Sequence, residues 1–207
     1  MKKIALIGQG GHAKVITDMI HANVGYEIVA VFDDKYECLR KENGICYGPI
    51  SSTEKIMKDI GFKLVIAIGN NTVRKRIVEQ LELEDESYET IIHPTAVVSE
   101  STSIGFGTVI MPKAVINADT VIGSHVIINT AAVIEHDNQI GDFAHISPNA
   151  TLTGTVCVNE GTQIGAGAIV IPNRKIGRWS IIGAGATVIH DMPSSCTAVG
   201  SPARVIK

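Results

Sequence analysis

Three groups of residues in this 207-residue chain are of types that could do chemistry. The first is Gly8-Gln9-Gly10-Gly11-His12, which follows the apolar residues 4–7 and precedes a helical pattern. Gly8-x-Gly10-x-x-Ala13, with Asp33 twenty residues beyond Ala13, satisfies a loose dinucleotide fingerprint, and taken alone it favours NAD. Backbone amides at a helix N-terminus bind any phosphate, however, and glycine also serves a merely tight strand-to-helix turn. At this point NAD, another phosphorylated ligand and a plain turn all stay open. The second group is His136-Asp137, where a carboxylate beside an imidazole can fix its tautomer and raise its basicity. A lone outward histidine is otherwise ordinary surface. The third group fails as a site. The seven histidines form no HxH or HExxH pair and the four cysteines no CxxC pair, so no metal site is expected and the thiols read as reduced, in a cytoplasmic protein.

The elements that carry these groups fall into two halves. Over residues 1–85 strand and helix signals alternate: strands at 4–7, 27–32 and 64–68, helices at 13–22, 51–59 and 72–81. Ser51-Ser52-Thr53-Glu54 reads as a capping box and Asn70-Asn71 as an N-cap. Three or four strands alternating with helices predict a small parallel α/β domain, one mononucleotide-binding half in size. The acidic run 82–86 reads as a solvated linker.

Over residues 86–207 the period changes to six. Starting at Ile92, every sixth residue through Val188 is aliphatic, seventeen positions without an insertion. Four residues after each sits, in most repeats, a small or β-branched residue; Asn138, Arg174 and Met192 are the exceptions. Glycine often follows the aliphatic position, as in Ile104-Gly105 and Ile140-Gly141, and is expected to supply backbone freedom at the bends. A strict hexapeptide repeat predicts a β-helix whose aliphatic residues point inward and stack coil upon coil. His136, two residues past inward Ile134, then lies in a turn and faces outward.

Composition excludes other classes. A net charge of −3 without a basic cluster argues against nucleic acid as a partner. The apolar residues 4–7 are too few for a secretion signal, and the uncharged stretch 120–134 follows the hexapeptide period, so no membrane insertion is expected.

With these motifs assembled, the chain resembles the bacterial sugar acetyltransferases of the PglD/NeuD type, hexapeptide-repeat enzymes with a left-handed β-helix. The resemblance rests on residues 6–14, Asp33-Asp34, Ile68-Gly69-Asn70-Asn71, Ile92-His93-Pro94, Ile134-Glu135-His136-Asp137 and the closing Val199-Gly200-Ser201-Pro202-Ala203. It implies a Rossmann-like domain followed by a left-handed β-helix with three hexapeptides per coil, and a homotrimer with active sites between neighbouring β-helices. It implies acetyl-CoA as co-substrate and a nucleotide-activated amino sugar as acceptor, such as a UDP- or TDP-linked 4-amino-4,6-dideoxyhexose, in surface-glycan or glycoprotein biosynthesis.

Residue by residue, the resemblance assigns the nucleotide-sugar to Gly10, Gly11, His12, Asp33, Asp34 and Gly69. It matches His136 to the catalytic histidine with Asp137 as modulator, and gives acetyl-CoA to His145, Ala166 and Ala184, the alanines through their backbone. No lysine, serine or cysteine constellation suggests an acyl-enzyme, so direct transfer to the acceptor with His136 as general base is expected. An O-acetyltransferase acting on a sugar hydroxyl uses the same residues. An NAD-dependent oxidoreductase and a nucleotide-sugar sensor without turnover are the readings from other classes. His93 is expected to shape the entry to the first coil and His21 to face solvent.

Overall fold

In the first half, short apolar runs become buried parallel strands and amphipathic runs the helices that connect them. The computed structural model describes all residues, 1–207, in two units, Met1–Ile91 and Ile92–Lys207. In the first unit β1 (Lys2–Ile7) leads to α1 (Gly11–Ala22), β2 (Tyr26–Phe32), β3 (Arg40–Glu42), β4 (Ile45–Gly48), α2 (Thr53–Ile60), β5 (Lys63–Ile66) and α3 (Asn71–Leu81). The sheet order is β3-β4-β2-β1-β5, parallel except for the β3–β4 hairpin. Helix α1 buries Ala13, Ile16, Met19 and Ile20, the one-sided stripe of a helix lying on a sheet.

Three sequence expectations change here. The sheet has five strands, because the exposed, charged segment Arg40–Glu42 pairs with β4 without any apolar alternation to announce it. The capping box read over Ser51-Ser52-Thr53-Glu54 does not form: residues Ile50–Ser52 make a 3₁₀ turn, Ser52 is helical, and no side chain caps the start of α2. Instead the Thr53 hydroxyl donates to Ile50 O at 2.7 Å, and Glu54 pairs with Lys58 one turn on. The first unit also continues beyond the acidic run, since the Glu89 amide donates to Leu64 O and Tyr88 is buried. The Asn70 cap does form, its side chain accepting from Val73 N at 2.9 Å.

The second unit is a parallel β-helix. Two-residue strands pair with those eighteen residues on, as Val115 with Val133 and Val133 with Thr151, so three hexapeptides make one coil; only the last coil is shorter, Ile181 pairing with Thr197. The strands form sheets of six, five and eight, parallel except for the last, Arg204–Val205, which turns back on Thr197–Val199. From Ile110 through Val188 every inward aliphatic residue is buried. Burying such a side chain stabilises by about 1.5–3 kcal/mol. The first position, Ile92, remains 36 % exposed, as the open end of the stack requires.

Glycine is not what turns the corners. Every sixth residue from Gly107 to Gly185 has φ between +55° and +68°, and most of these are not glycine; Lys113, Asp119, His125, Asp137 and Asn149 are among them. The glycines that follow the inward aliphatics answer a different need. At Gly141 a Cβ would press into the Asn159-Glu160 backbone of the next coil, so its role is close approach rather than backbone freedom.

Candidate active site

In the first unit the glycine loop joins the C-terminal end of β1 to α1. Gly8 has φ +99°, and a Cβ there would lie 2.8 Å from Ile68 Cγ1, so both conformation and space call for glycine. Gly10 and Gly11 are different. Both are exposed, and a Cβ at either would meet nothing within 4 Å. Gly10 is the N-cap of α1 without any side-chain cap, and the first turn holds no acidic residue. The backbone amides and the positive end of the helix dipole therefore face open space, the arrangement that receives a phosphate.

Around this loop the sheet offers two hollows, one on either side of Gly8. One, about 530 Å³, is bounded by Gln9, Gly10, Lys14, Thr17, Lys35 and Tyr47. The other, about 450 Å³, is bounded by Asp33, Asp34, Ile68, Val73, Arg76 and Gln80. The second opens at the C-terminal ends of β1 and β5, where the connections change direction across the sheet, the usual ligand position in such folds.

Asp33 accepts from Gln9 N at 2.7 Å and from Lys35 N at 3.1 Å. The carboxylate that a dinucleotide reading would give to a ribose thus already anchors the glycine loop itself. Asp34 is exposed in the same hollow. Gly69 faces His12, whose Cβ would be 4.0 Å from a Cβ at that glycine.

His12 Nε2 is buried without a hydrogen-bond partner. Burial, with the Arg74 cation adding to it, pushes the His12 pKa down to about 4, so the imidazole is neutral at physiological pH. Arg74 is itself 1 % exposed and donates to Ile68 O, Gly69 O and Asn71 Oδ1 at 3.0, 3.3 and 2.9 Å. Sequence reading passed over Arg74, since nothing marks one arginine on an amphipathic helix as buried.

In the second unit His136 and Asp137 sit together in a turn that follows the strand Val133–Ile134. His136 Nδ1 lies 2.7 Å from Asp137 Oδ2, with both side chains more than half exposed. Asp137 takes the left-handed conformation, φ +59°, and that reversal lets two adjacent side chains meet. With Nδ1–H donated to the carboxylate, the lone pair of Nε2 is left to accept a proton.

His145, Ala166 and Ala184 collect on another sheet. His145 pairs in register with Gln163, and Gln163 with Ile181. Ala166 and Ala184 follow those last two strands by two residues each, one coil apart, and both are exposed. Asn129, unremarked in the sequence, brings its amide nitrogen within 2.9 Å of His145 Nε2. The amide can only donate there, so His145 Nε2 accepts. Within one chain, then, His136 and the Ala166–Ala184 ridge stand on different edges of the three-sided coil. No three His, Cys, Asp or Glu side chains gather as a metal site.

A nucleotide-type α/β unit joined to a hexapeptide β-helix with a histidine–aspartate pair on its edge defines the hexapeptide-repeat acyltransferases as a class. Comparison with known proteins narrows this. Residues 3–81 match the PglD N-terminal domain family. A UDP-N-acetylbacillosamine N-acetyltransferase of Bacillus subtilis is 49 % identical over 110 residues, 52 % of this chain and 50 % of that protein, so the match spans about half of this curated relative. The crystal structure of the Caulobacter crescentus protein PerB, in complex with CoA and GDP-perosamine, superimposes with a TM-score of 0.90 at 35 % identity, covering 100 % of this chain and 98 % of that one. The acetyltransferase domain of PglB from Neisseria gonorrhoeae superimposes with a TM-score of 0.88 at 37 % identity, covering both chains fully. This chain belongs to the bacterial sugar acetyltransferases of the PglD/NeuD type, and its β-helix is the left-handed one of that family.

Proposed function

We propose that this protein transfers the acetyl group of acetyl-CoA to the amino group of a nucleotide-linked amino sugar, with His136 as general base. The observation that carries the chemistry is the His136 Nδ1–Asp137 Oδ2 contact of 2.7 Å, which orients Nε2 as a proton acceptor. The acceptor class follows from the relatives, which act on UDP- and GDP-linked amino sugars.

The first unit binds the nucleotide. Its diphosphate lies on the bare N-terminus of α1 at Gly10 and Gly11, while Asp33, Asp34, Gly69 and neutral His12 contact the remainder. The β-helix performs the transfer. Nε2 of His136 takes a proton from the sugar amine, the nitrogen attacks the thioester carbonyl, and the tetrahedral intermediate collapses with cleavage of the C–S bond. The CoA sulfur leaves as thiolate and takes the proton from the His136 imidazolium, which restores the base, and the amide product keeps the acetyl group. Asp137 stabilises the imidazolium formed on the way. Acetyl-CoA lies along the edge of Ala166 and Ala184 with its acetyl end at His145, which Asn129 holds in orientation. No step needs a metal or a covalent acyl-enzyme.

Because His136 and the Ala166–Ala184 ridge occupy different edges of one coil, a complete site draws these groups from two chains, in a homotrimer. No helix is long and apolar enough to cross a membrane, and the four cysteines are free. Cytoplasmic work, where thiols stay reduced and acetyl-CoA is made, fits both.

The test is release of CoA thiol from acetyl-CoA with UDP-, TDP- and GDP-linked 4-amino-4,6-dideoxyhexoses, and with free sialic acid as a hydroxyl acceptor. Release with one amino-sugar nucleotide is the expected result. Release with the hydroxyl acceptor alone overturns the N-acetyl assignment.

A further inference from the structure

One inward corner of the β-helix breaks the small-residue rule beside the candidate base. At the equivalent corners Thr108, Thr162 and Ser180 make two bonds each to the next coil. Thr108 Oγ1 donates to Gly123 O at 2.8 Å and accepts from Val126 N at 3.0 Å. Thr162 does the same with Gly177 O and Ser180 N, and Ser180 with Pro193 O and Cys196 N. For the two threonines the donation lies fifteen residues ahead and the acceptance eighteen; for Ser180, against the shorter last coil, they lie thirteen and sixteen ahead.

Asn138, fully buried, repeats both bonds, donating to Thr153 O at 3.0 Å and accepting from Val156 N at 3.2 Å. Its amide nitrogen carries a second N–H, where a hydroxyl has one; Ser180 Oγ approaches the Arg178 carbonyl behind it only at 3.4 Å. The Asn138 nitrogen also reaches back to the Glu135 carbonyl, and to that of His136 at 3.3 Å. The network fixes the amide orientation, since only the oxygen can face Val156 N and only the nitrogen three carbonyls. One coil further along the same edge lies Gly154. A Cβ there would come within 2.6 Å of His136 Cε1 and 2.7 Å of Nε2. The imidazole is thus seated over a glycine, while its backbone is tied from inside the coil.

We infer that Asn138 and Gly154 are positioning residues for His136, the first holding the His136–Asp137 turn from within and the second providing the seat for the ring. The inference rests on the reading of His136 as base and extends it to two residues that touch no substrate. Three hydroxyl side chains at equivalent corners satisfy the coil with two bonds each, so the additional N–H of Asn138 serves the turn rather than the stack.

Two substitutions separate positioning from stability. Asn138→Thr keeps both coil-to-coil bonds, as Thr108 and Thr162 make them, and loses only the reach back to Glu135 and His136. Gly154→Ala leaves a backbone open to any residue, its φ lying outside the left-handed region, and displaces only the exposed end of His136. For both, kcat is expected to fall about ten- to a hundredfold, the effect of misplacing a reacting group by about an ångström. KM for acetyl-CoA and the melting temperature should stay near wild type. In a His136→Ala background neither substitution should lower kcat further. An unchanged kcat, or an equal loss in that background, overturns the inference. Should His136→Ala itself retain wild-type kcat, the base assignment falls instead, and ring position decides separately. Imidazole ¹⁵N shifts of His136 that move in Asn138→Thr and Gly154→Ala sustain the positioning role, and unmoved shifts reject it.

Discussion

His136 Nδ1 and Asp137 Oδ2 meet at 2.7 Å although the two residues are neighbours in the chain. Adjacent side chains on an extended strand point to opposite faces. The left-handed φ of Asp137, +59°, reverses the chain between them and brings the carboxylate under the ring. The pair is therefore a product of the hexapeptide turn; His190-Asp191 repeats the same two residue types past inward Val188, but Asp191 lacks the left-handed φ and accepts from Lys175 N instead.

From this contact follows the behaviour of Asp137→Asn. The amide can present its nitrogen to Nδ1 and favour the tautomer in which Nε2 carries the proton, and it cannot stabilise an imidazolium by charge. The expected result is a fall in kcat smaller than that of His136→Ala, with KM for both substrates little changed. Steady-state kinetics of the two variants side by side check it. An Asp137→Asn enzyme as active as wild type removes Asp137 from the mechanism.

The glycine loop separates folding from binding. Gly8→Ala places a Cβ against Ile68 in a backbone of φ +99°, and should cost about 1–3 kcal/mol of stability. Gly10→Ala meets nothing in the protein and forfeits only the N-cap preference for glycine, so its melting temperature should fall less than that of Gly8→Ala while affinity for the nucleoside diphosphate weakens. Thermal melts and calorimetric titration of UDP and GDP distinguish the two. Equal affinity in Gly10→Ala would remove the loop from phosphate binding.

His12 predicts a pH effect on stability. Its pKa is pushed from 6.5 to about 4 in the folded protein, chiefly by burial. The unfolded chain therefore binds a proton at a higher pH than the folded one. Stability is fully present above pH 6.5 and declines as pH falls towards 4, by up to about 3 kcal/mol from this group alone. Urea unfolding at several pH values should show this slope in wild type and a flatter one in His12→Gln. Parallel slopes in the two proteins contradict it.

The separation of His136 from Ala166 and Ala184 on different edges predicts complementation. Chains carrying His136→Ala and chains carrying Ala166→Trp should each be inactive alone, the second because the bulky ring fills the acetyl-CoA edge. Co-expressed, they should regain activity, since some subunit pairs hold one intact copy of each group. Mixed oligomers without activity would mean that a single chain supplies the whole site.

Much of this architecture was legible in the order of residues, and the failures have physical causes. The hexapeptide period is a direct record of which side chains face inward, and the buried series from Ile110 to Val188 follows it without exception. The Asn70 cap was readable because an asparagine before a helix has one geometry to satisfy. The hairpin strand Arg40–Glu42 was not, for exposed charged residues pair there through backbone alone. Nor was the true use of glycine: the corners are turned by Lys113, Asp119 and Asp137 among others, while Gly141 and Gly154 admit the neighbouring coil and the His136 ring. The departure at Asn138 was visible as a broken rule. What it does required the register of the next coil, eighteen residues away, which local spacing does not contain.

The most direct measurement is the turnover of His136→Ala with the amino-sugar nucleotide that wild type accepts, alongside the affinity of each protein for acetyl-CoA. Loss of the general base should lower kcat by about 10²–10⁴ with acetyl-CoA affinity unchanged. A variant that turns over at the wild-type rate would contradict the assignment of His136 as the group that takes the proton.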